Sequence, residues 1–160
     1  MTVKEYQEEA ERLTPQLRKT ALRYMGDTAL GEDIAQDVLL KLWQLRNEVR
    51  LPMDGLAQTM TRNECLMRLR KHHHTVGMEG HDRAEQSDGN PMAEMTLALL
   101  TELPPLQQTI LRLRHIDGMR IADIADLLNK EEEAVRQNLS RGRKTLRRLI
   151  TNKMKEEEER

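Results

Sequence analysis

The sequence predicts an all-α protein of two small helical domains joined by a flexible linker, the C-terminal domain being a helix-turn-helix. Three observations predict this fold. Aromatic residues make up 2% of the 160 residues and Phe is absent, so the core must be built mainly from aliphatic side chains and methionine, among which Leu, Met and Ala favour helices. Apolar residues recur at steps of three and four, with no alternating strand pattern. One polar stretch, residues 75–90 (TVGMEGHDRAEQSDGN), has no apolar period and is typical of a linker.

Three helices are predicted in the first domain, residues 1–74. The first is marked by apolar residues at helical spacing, Leu13, Leu17, Ala21 and Tyr24, and Gly26-Asp27 ends it. The second, about residues 29–47, carries an apolar stripe widened by Leu39, Leu40 and Trp43. A helix that is apolar over so much of its circumference is either central to its domain or covered by a partner. The third, about residues 54–73, has Leu56, Met60 and Met67 in one stripe.

The second domain, residues 91–160, begins at Asn90-Pro91, where an N-cap precedes proline at the first helical position. Pro104-Pro105 predicts a corner, and Asp117-Gly118 predicts the end of the helix that follows it. A short helix over residues 120–128 comes next. Asn129, with Glu132 three residues later, predicts a capping-box start for the last helix. The inward stripe of that helix consists of Val135, Leu139, Gly142, Leu146 and Leu149.

The last two helices, joined by a turn at Asn129-Lys130, are typical of a helix-turn-helix, whose second helix enters the major groove of DNA. Residues 135–155 carry eight Lys and Arg residues and no acidic residue. Such a stretch indicates phosphate binding, and Arg and Gln side chains can also read bases. The residues off the inward stripe are Arg136, Gln137, Ser140, Arg141, Arg143, Lys144, Arg147 and Arg148. This pattern alone also allows an ordinary helical hairpin with a charged outer face.

Composition excludes several other classes of protein. Cys65 is the single cysteine, so an intrachain disulfide is impossible, and we expect Cys65 to be packed. No apolar run reaches the length of a membrane span, so we expect a cytoplasmic protein without membrane insertion. The histidines at 72–74 lack the spacing of a zinc site, and we expect no metal. Neither a glycine-rich phosphate loop nor a catalytic grouping is found, so we expect no cofactor and no enzymatic activity.

Two segments resemble the extracytoplasmic-function group of bacterial RNA polymerase sigma factors. Residues 26–43 (GDTALGEDIAQDVLLKLW) resemble the helix with which that group binds core polymerase. Residues 103–147 (LPPLQQTILRLRHIDGMRIADIADLLNKEEEAVRQNLSRGRKTLR) resemble its C-terminal promoter-binding domain. The order of the two segments and the linker between them also match. The resemblance extends over about residues 6–153 and implies sigma region 2 in the first domain and region 4 in the second.

The resemblance assigns roles to individual residues. It implies that the second helix docks on the clamp coiled coil of the largest polymerase subunit through Asp33, Gln36, Asp37, Leu40 and Lys41. It implies contacts to the minus-ten promoter element from Arg62, Asn63, Arg68, Arg70 and Lys71. The loop at residues 47–54 matches a pocket for a base flipped out of the duplex. The minus-thirty-five element would be read by Arg136, Gln137, Ser140, Arg141, Arg143, Lys144 and Arg147.

The resemblance also implies partners: core polymerase through the clamp coiled coil and the flap, promoter DNA, and an anti-sigma factor. One departure from the family pattern concerns DNA contact: Gly55 stands where many members have an aromatic residue. Asn63 shares the stripe of Leu56, Met60 and Met67, so a buried structural role is open for it. Two other interpretations are a conventional helix-turn-helix regulator that acts without polymerase, and an adaptor of the same fold that no longer initiates transcription.

Overall fold

The computed structural model describes residues 1–76 and 91–160, and every regular element in those two ranges is helical, which confirms the predicted all-α class. The helices are α1 (Val3–Met25), α2 (Thr28–Gln44), α3 (Asp54–Val76), α4 (Pro91–Leu100), α5 (Pro105–Leu111), α6 (Ile121–Leu128) and α7 (Glu132–Glu158), with a π-helical turn at Arg112–Ile116 after α5. None of these helices is both long and apolar enough to cross a membrane.

The chain divides into two compact units, which are described separately. The first is built on residues 1–76, and the second contains most of the chain after them. The predicted linker lies outside the described residues from Gly77 onward, whereas Thr75 and Val76 belong to the end of α3. The predicted N-cap residue Asn90 is also outside the described residues, and α4 begins at Pro91 as the proline predicts.

The first unit is a bundle of α1, α2 and α3 around an aliphatic core. The stripe predicted for α1 is buried at Leu13, Leu17 and Ala21, and Cys65 on α3 is fully buried, as expected. The Gly26-Asp27 pair reverses the chain between α1 and α2. Gly26 takes a left-handed conformation (φ 68°), which glycine adopts without steric cost, and its N–H donates to the carbonyl of Leu22. Asp27 then caps α2, its Oδ1 accepting from the N–H groups of Ala29 and Leu30 at 2.8 and 3.2 Å.

The end of α2 differs from the prediction. The helix ends at Gln44, three residues before the predicted Asn47, and turns occupy the next four residues. The N–H of Leu45 donates to the carbonyls of both Lys41 and Leu42, a shared bond of the kind that tightens the last turn of a helix. Leu45 and Val49 remain buried after this tighter turn, although the chain no longer follows the axis of α2.

In the second unit, α4 and α5 pack against the long helix α7. Pro104 and Pro105 make the predicted corner, with Pro105 at the first position of α5. The core residues that α5 and the π turn supply are Leu106, Ile110, Leu111 and Leu113. The π turn ends where the N–H of Asp117 donates to the carbonyl of Arg112, and Gly118 (φ 69°) reverses the chain as predicted.

The predicted capping box at Asn129 and Glu132 is wrong. Asn129 is left-handed (φ 55°) and ends α6, because the N–H of Lys130 donates to the carbonyl of Ala125 in a Schellman-type closure. The N-cap of α7 is Glu131, whose side chain makes no capping hydrogen bond. Asparagine favours both the N-cap and the left-handed C′ position, and here the end of the first helix determines its conformation.

Candidate functional site

The first half of α7 separates a buried stripe from a basic outer surface. Val135, Leu139 and Gly142 are buried, and Gly142 is close to Leu111 of α5. The seven α7 residues that sequence analysis assigned to DNA are all exposed: Arg136, Gln137, Ser140, Arg141, Arg143, Lys144 and Arg147. Because the helix has no acidic residue between Val135 and Lys155, this surface offers hydrogen-bond donors and positive charge to an anionic partner.

Arg136 lies in the first two turns of α7, the part of a recognition helix that meets base edges. Its guanidinium contacts Glu132 at 3.5 Å and Glu133 at 3.9 Å, and all three side chains are exposed. Exposed pairs of this kind along one helix contribute little to stability. Arg136 can therefore exchange these carboxylates for a base or a phosphate at small cost.

Arg143 is held by a residue that sequence analysis did not assign. Its Nε donates to Nε2 of His115, in the π turn, at 3.0 Å. Nε2 can accept this bond only when the imidazole is neutral. Partial burial, followed by the charges of Arg143 and Arg114, lowers the pKa of His115 below its ordinary value and so favours that state. The π turn brings together residues 28 positions apart, and no local sequence signal indicates this.

On α2, the residues predicted to dock on polymerase form a partly exposed row. Asp33, Gln36 and Leu40 are exposed, and Asp37 and Lys41 are half-buried. Leu40 is 58% exposed, although the same helix buries Ile34, Val38 and Leu42 completely. A large apolar side chain amid carboxylates on the outer side of a core helix indicates a surface that a partner can cover.

An ion-pair network joins this row to α3. Arg68 of α3 donates to Asp33 at 2.8 Å and to Asp37 at 2.5 Å, both on α2, and to Glu64 one turn earlier on its own helix at 3.3 Å. Lys41 of α2 contacts Glu64 at 3.3 Å. We call these five residues the Arg68 network. It brings together residues that sequence analysis placed on two different interfaces, and it includes Glu64, which sequence analysis did not assign.

Glu64 is the most buried carboxylate of the Arg68 network. Its burial acts to raise the pKa of the carboxyl, but Lys41 and Arg68 outweigh burial and hold that pKa below its ordinary value. Glu64 is therefore ionised at neutral pH and stays paired with both cations.

The residues predicted to contact the minus-ten element lie on different sides of α3. Arg62, Arg70 and Lys71 are exposed, Asn63 is half-buried, and Arg68 is turned toward α2. The side chains of His72, His73 and His74, and the whole of His81, lie outside what the structure describes. Among the residues it does describe, no group of three or more His, Cys, Asp or Glu side chains could hold a metal ion.

Two aromatic residues, Tyr6 and Trp43, lie at the end of α2, just before the loop at residues 47–54 that the family resemblance likens to a pocket for a flipped base. The guanidinium of Arg46 lies 3.7 Å from the ring centroid of Trp43, and its Nη1 donates to the Trp43 carbonyl at 2.8 Å. Tyr6 of α1 meets the same ring edge-on at 5.0 Å, and its hydroxyl donates to the carbonyl of Leu39. No role was predicted for Tyr6 or Arg46 from the sequence. Both contact Trp43, and together they hold the end of α2 in place.

Two protein-family models match the chain. The model for sigma-70 region 2 matches residues 10–75, which belong to the first unit, and the model for sigma-70 region 4 matches residues 93–146 of the second part of the chain. The matched segments together contain every residue to which sequence analysis assigned a role on α2 and α3, and all those on α7 except Arg147.

Two individual proteins are also similar. A probable RNA polymerase sigma factor, RfaY of Xanthomonas campestris pv. campestris, is 33% identical over an alignment 142 residues long, and the alignment covers 79% of this chain and 36% of that protein. The chain thus spans about a third of the length of this relative. The sigma factor RpoE of Bartonella quintana, solved with the anti-sigma factor NepR, is 22% identical with a TM-score of 0.44, over 93% of this chain and 98% of that one.

Proposed function

Since the chain belongs to the sigma-70 family of RNA polymerase sigma factors, we propose that it directs core polymerase to specific promoters as a sigma factor of the extracytoplasmic-function type. The two matched regions follow each other with only residues 76–92 between them, which fits this small type. In this role the protein acts by binding and carries out no chemistry of its own. It works in the cytoplasm, where core polymerase and the chromosome are found.

The observation that carries the proposal is the acid-free, exposed basic surface of α7 over a buried aliphatic stripe. That surface suits the major groove of the minus-thirty-five element, with Arg136 and Gln137 near the helix start reading bases and the later cations contacting phosphates. The second unit would at the same time rest on the polymerase flap.

The first unit supplies the other half of the proposed function. Its α2 row docks on the clamp coiled coil, and the exposed α3 residues Arg62, Arg70 and Lys71 contact the strand that opens at the minus-ten element. Extruding a base costs a few kcal/mol of unstacking, so the loop after α2 must stabilise the open strand by a similar amount. An anti-sigma factor would bind the free protein and prevent polymerase docking.

Transcription with purified core polymerase tests the proposal. Promoter DNA is selected with the reconstituted holoenzyme, and run-off transcripts are then measured on the selected fragments. We expect a stoichiometric complex with core polymerase and defined start sites that core polymerase alone does not use. A conventional regulator would bind duplex DNA without joining polymerase, and an inactive adaptor would join polymerase without producing transcripts.

Alanine variants test the assignment of the α7 surface in the same assay. Arg136→Ala and Arg141→Ala should each weaken binding of the minus-thirty-five element by about 1–3 kcal/mol where the side chain reads a base. Unchanged affinity in both variants would show that another side of α7 faces DNA.

A further inference from the structure

We infer that Arg68 and Glu64 are positioning residues of the polymerase-docking row on α2, and that Arg68 is not a ligand of promoter DNA. The inference rests on the proposed function and deepens it, because it reassigns one residue from the DNA side to the polymerase side and adds a residue that had no role.

The three nitrogen atoms of the Arg68 guanidinium each contact a different carboxylate. Nη1 lies 2.8 Å from Oδ2 of Asp33, Nη2 lies 2.5 Å from Oδ2 of Asp37, and Nε lies 3.3 Å from Oε1 of Glu64. Only 26% of the side chain is exposed. A DNA phosphate could reach this guanidinium only by displacing charge-assisted hydrogen bonds that are already made.

The local charge around Arg68 also disfavours a DNA phosphate. The Arg68 network holds three carboxylates and two cations, so a phosphate that approached Arg68 would meet Asp33, Asp37 and Glu64 as well. The exposed arginines of α3 offer a better surface. Among the residues that the structure describes, neither Arg62 nor Arg70 makes an ion pair, and both guanidinium groups are open to a phosphate.

Arg68 also offsets the repulsion between the two α2 carboxylates. Asp33 and Asp37 are one helical turn apart, and like charges at this spacing repel each other. Arg68 lies between them and offsets that repulsion, while their side chains remain 60% and 45% exposed. A cationic partner surface therefore finds both carboxylates already oriented, and fewer rotamers have to be fixed when it binds.

Glu64 links the two cations of the Arg68 network. Its side chain is 18% exposed, and its two oxygens contact different cations: Oε1 holds Nε of Arg68, and Oε2 holds Nζ of Lys41. One carboxylate thus positions Lys41 directly, and Asp33 and Asp37 through Arg68. Three of the five residues predicted to dock on polymerase are arranged in this way from α3.

The test uses the full-length chain and purified core polymerase, with affinity measured by fluorescence titration. Arg68→Ala should weaken core binding about tenfold, and Asp37→Ala should weaken it by a similar factor. The affinity of the double variant for core polymerase should be little lower than that of the single variant that binds less tightly, because the effects of coupled residues are not additive. Arg68→Lys should restore part of the affinity. Glu64→Gln should weaken core binding in the same direction.

The matched control is Arg18→Ala. Arg18 also pairs with a carboxylate of α2, Glu32, at 2.7 Å, but it lies outside the Arg68 network. Its removal should leave core affinity within about twofold of wild type, since an exposed pair contributes little. The thermal midpoint of every variant is recorded, so that a general loss of folding is separated from a loss of docking.

DNA binding supplies the second readout, with a fork-junction fragment of a promoter on which the wild type initiates. At saturating core polymerase, Arg70→Ala should weaken binding of this fragment and Arg68→Ala should not. The inference is overturned if Arg68→Ala and Glu64→Gln keep wild-type core affinity, if the Arg68 and Asp37 effects simply add, or if Arg68→Ala acts on DNA as Arg70→Ala does. Failure of the wild type to bind core polymerase would instead refute the proposed function itself.

Discussion

Two buried glycines lie where helices of the same unit pack closely, and they differ in what lies opposite. A Cβ on Gly31 of α2 would stand 3.2 Å from the backbone nitrogen of Leu22 and 3.5 Å from its Cα. A Cβ on Gly142 of α7 would stand 2.9 Å from Cδ1 of Leu111, the tip of a flexible side chain. Backbone atoms of a packed helix cannot move aside without moving the helix, whereas a leucine can change its rotamer.

We therefore predict opposite consequences for two identical substitutions. Alanine gains about 1 kcal/mol over glycine inside a helix. At Gly142 that gain should offset the shift of Leu111, so that Gly142→Ala stays within about 0.5 kcal/mol of wild type. At Gly31 the strain against α1 should outweigh the gain, so that Gly31→Ala destabilises by about 1–3 kcal/mol. Urea unfolding measures both, and a Gly31→Ala variant that is the more stable of the two would refute the explanation.

The pair of His115 and Arg143 predicts a pH dependence of stability. The pKa of His115 is lowered in the folded protein, so the unfolded chain takes up the proton more readily. The stability that the neutral imidazole contributes is complete above the ordinary histidine value, near 6.5, and is lost as the pH falls through that value toward the lower folded one. The thermal midpoint of the wild type should fall across this window.

His115→Gln isolates the contribution of this histidine. The glutamine amide oxygen can accept from Arg143 but does not titrate, so the fall in thermal midpoint should be smaller in the variant than in the wild type. The other histidines are the same in both proteins and cancel in the difference. Parallel curves for the two proteins would mean that His115 does not couple to folding.

At the scale of elements, two helix starts can be compared directly. Asp27 caps α2 through hydrogen bonds to two backbone N–H groups, whereas Glu131 occupies the same position before α7 without a side-chain bond. Asp27→Ala should destabilise the first unit by about 1 kcal/mol. Glu131→Ala should change stability by less than about 0.5 kcal/mol. Urea unfolding followed by circular dichroism measures the free energy of unfolding of both variants. Equal losses of stability would mean that the hydrogen bonds of the Asp27 side chain do not stabilise the start of α2.

Sequence periodicity predicted each α-helix and most of the buried stripes because burial on one side of a helix imposes a local pattern. Leu13, Leu17 and Ala21 are examples on α1, and Val135 and Leu139 on α7. The π turn could not be predicted, because the buried residues Leu106, Ile110 and Leu113 follow each other at steps of four and three, which an ordinary α-helix also gives.

Of the two functional surfaces, the one on α7 could be predicted from the sequence and the Arg68 network could not. Exposure of the α7 cations follows from the same periodicity, so the proposed DNA surface could be located from the sequence. The Arg68 network could not, because its α2 and α3 members are more than twenty residues apart and meet only when the two helices pack. The family resemblance placed Arg68 on DNA, and only the packing of α3 against α2 reveals its carboxylate partners.

At the scale of the whole molecule, the net charge of −1 conceals a separation of charge. The eight cations of α7 lie between Glu131–Glu133 and Glu156–Glu159, so acidic residues border the basic surface at both ends. Overall charge gives such a protein no general attraction to DNA, and binding must come from surfaces where cations are concentrated, such as that of α7. This arrangement suits a factor that reaches DNA as part of a larger assembly.

Each unit has its own aliphatic core, and the proposed function gives each unit its own partner. Transcription initiation should therefore depend more on the covalent connection of the two units than on any contact that one unit makes alone. When two binding modules are linked, the second binds at a high effective concentration once the first has bound, and the gain reaches about 10²–10⁴-fold. We predict that fragments of residues 1–76 and 91–160, mixed in equal amounts with core polymerase, give at least about a hundredfold fewer run-off transcripts than the intact chain.

Circular dichroism of each fragment shows whether it keeps its helices, and an intact chain with residues 77–90 replaced by a Gly-Ser segment of the same length is the control. The replacement preserves the connection and changes only the side chains of the tether, so this control should retain most of the transcription. Mixed, folded fragments that initiate as well as the intact chain would mean that the two units need no connection. Loss of activity in the control would mean that residues 77–90 make contacts of their own, and the effective-concentration argument would then fail.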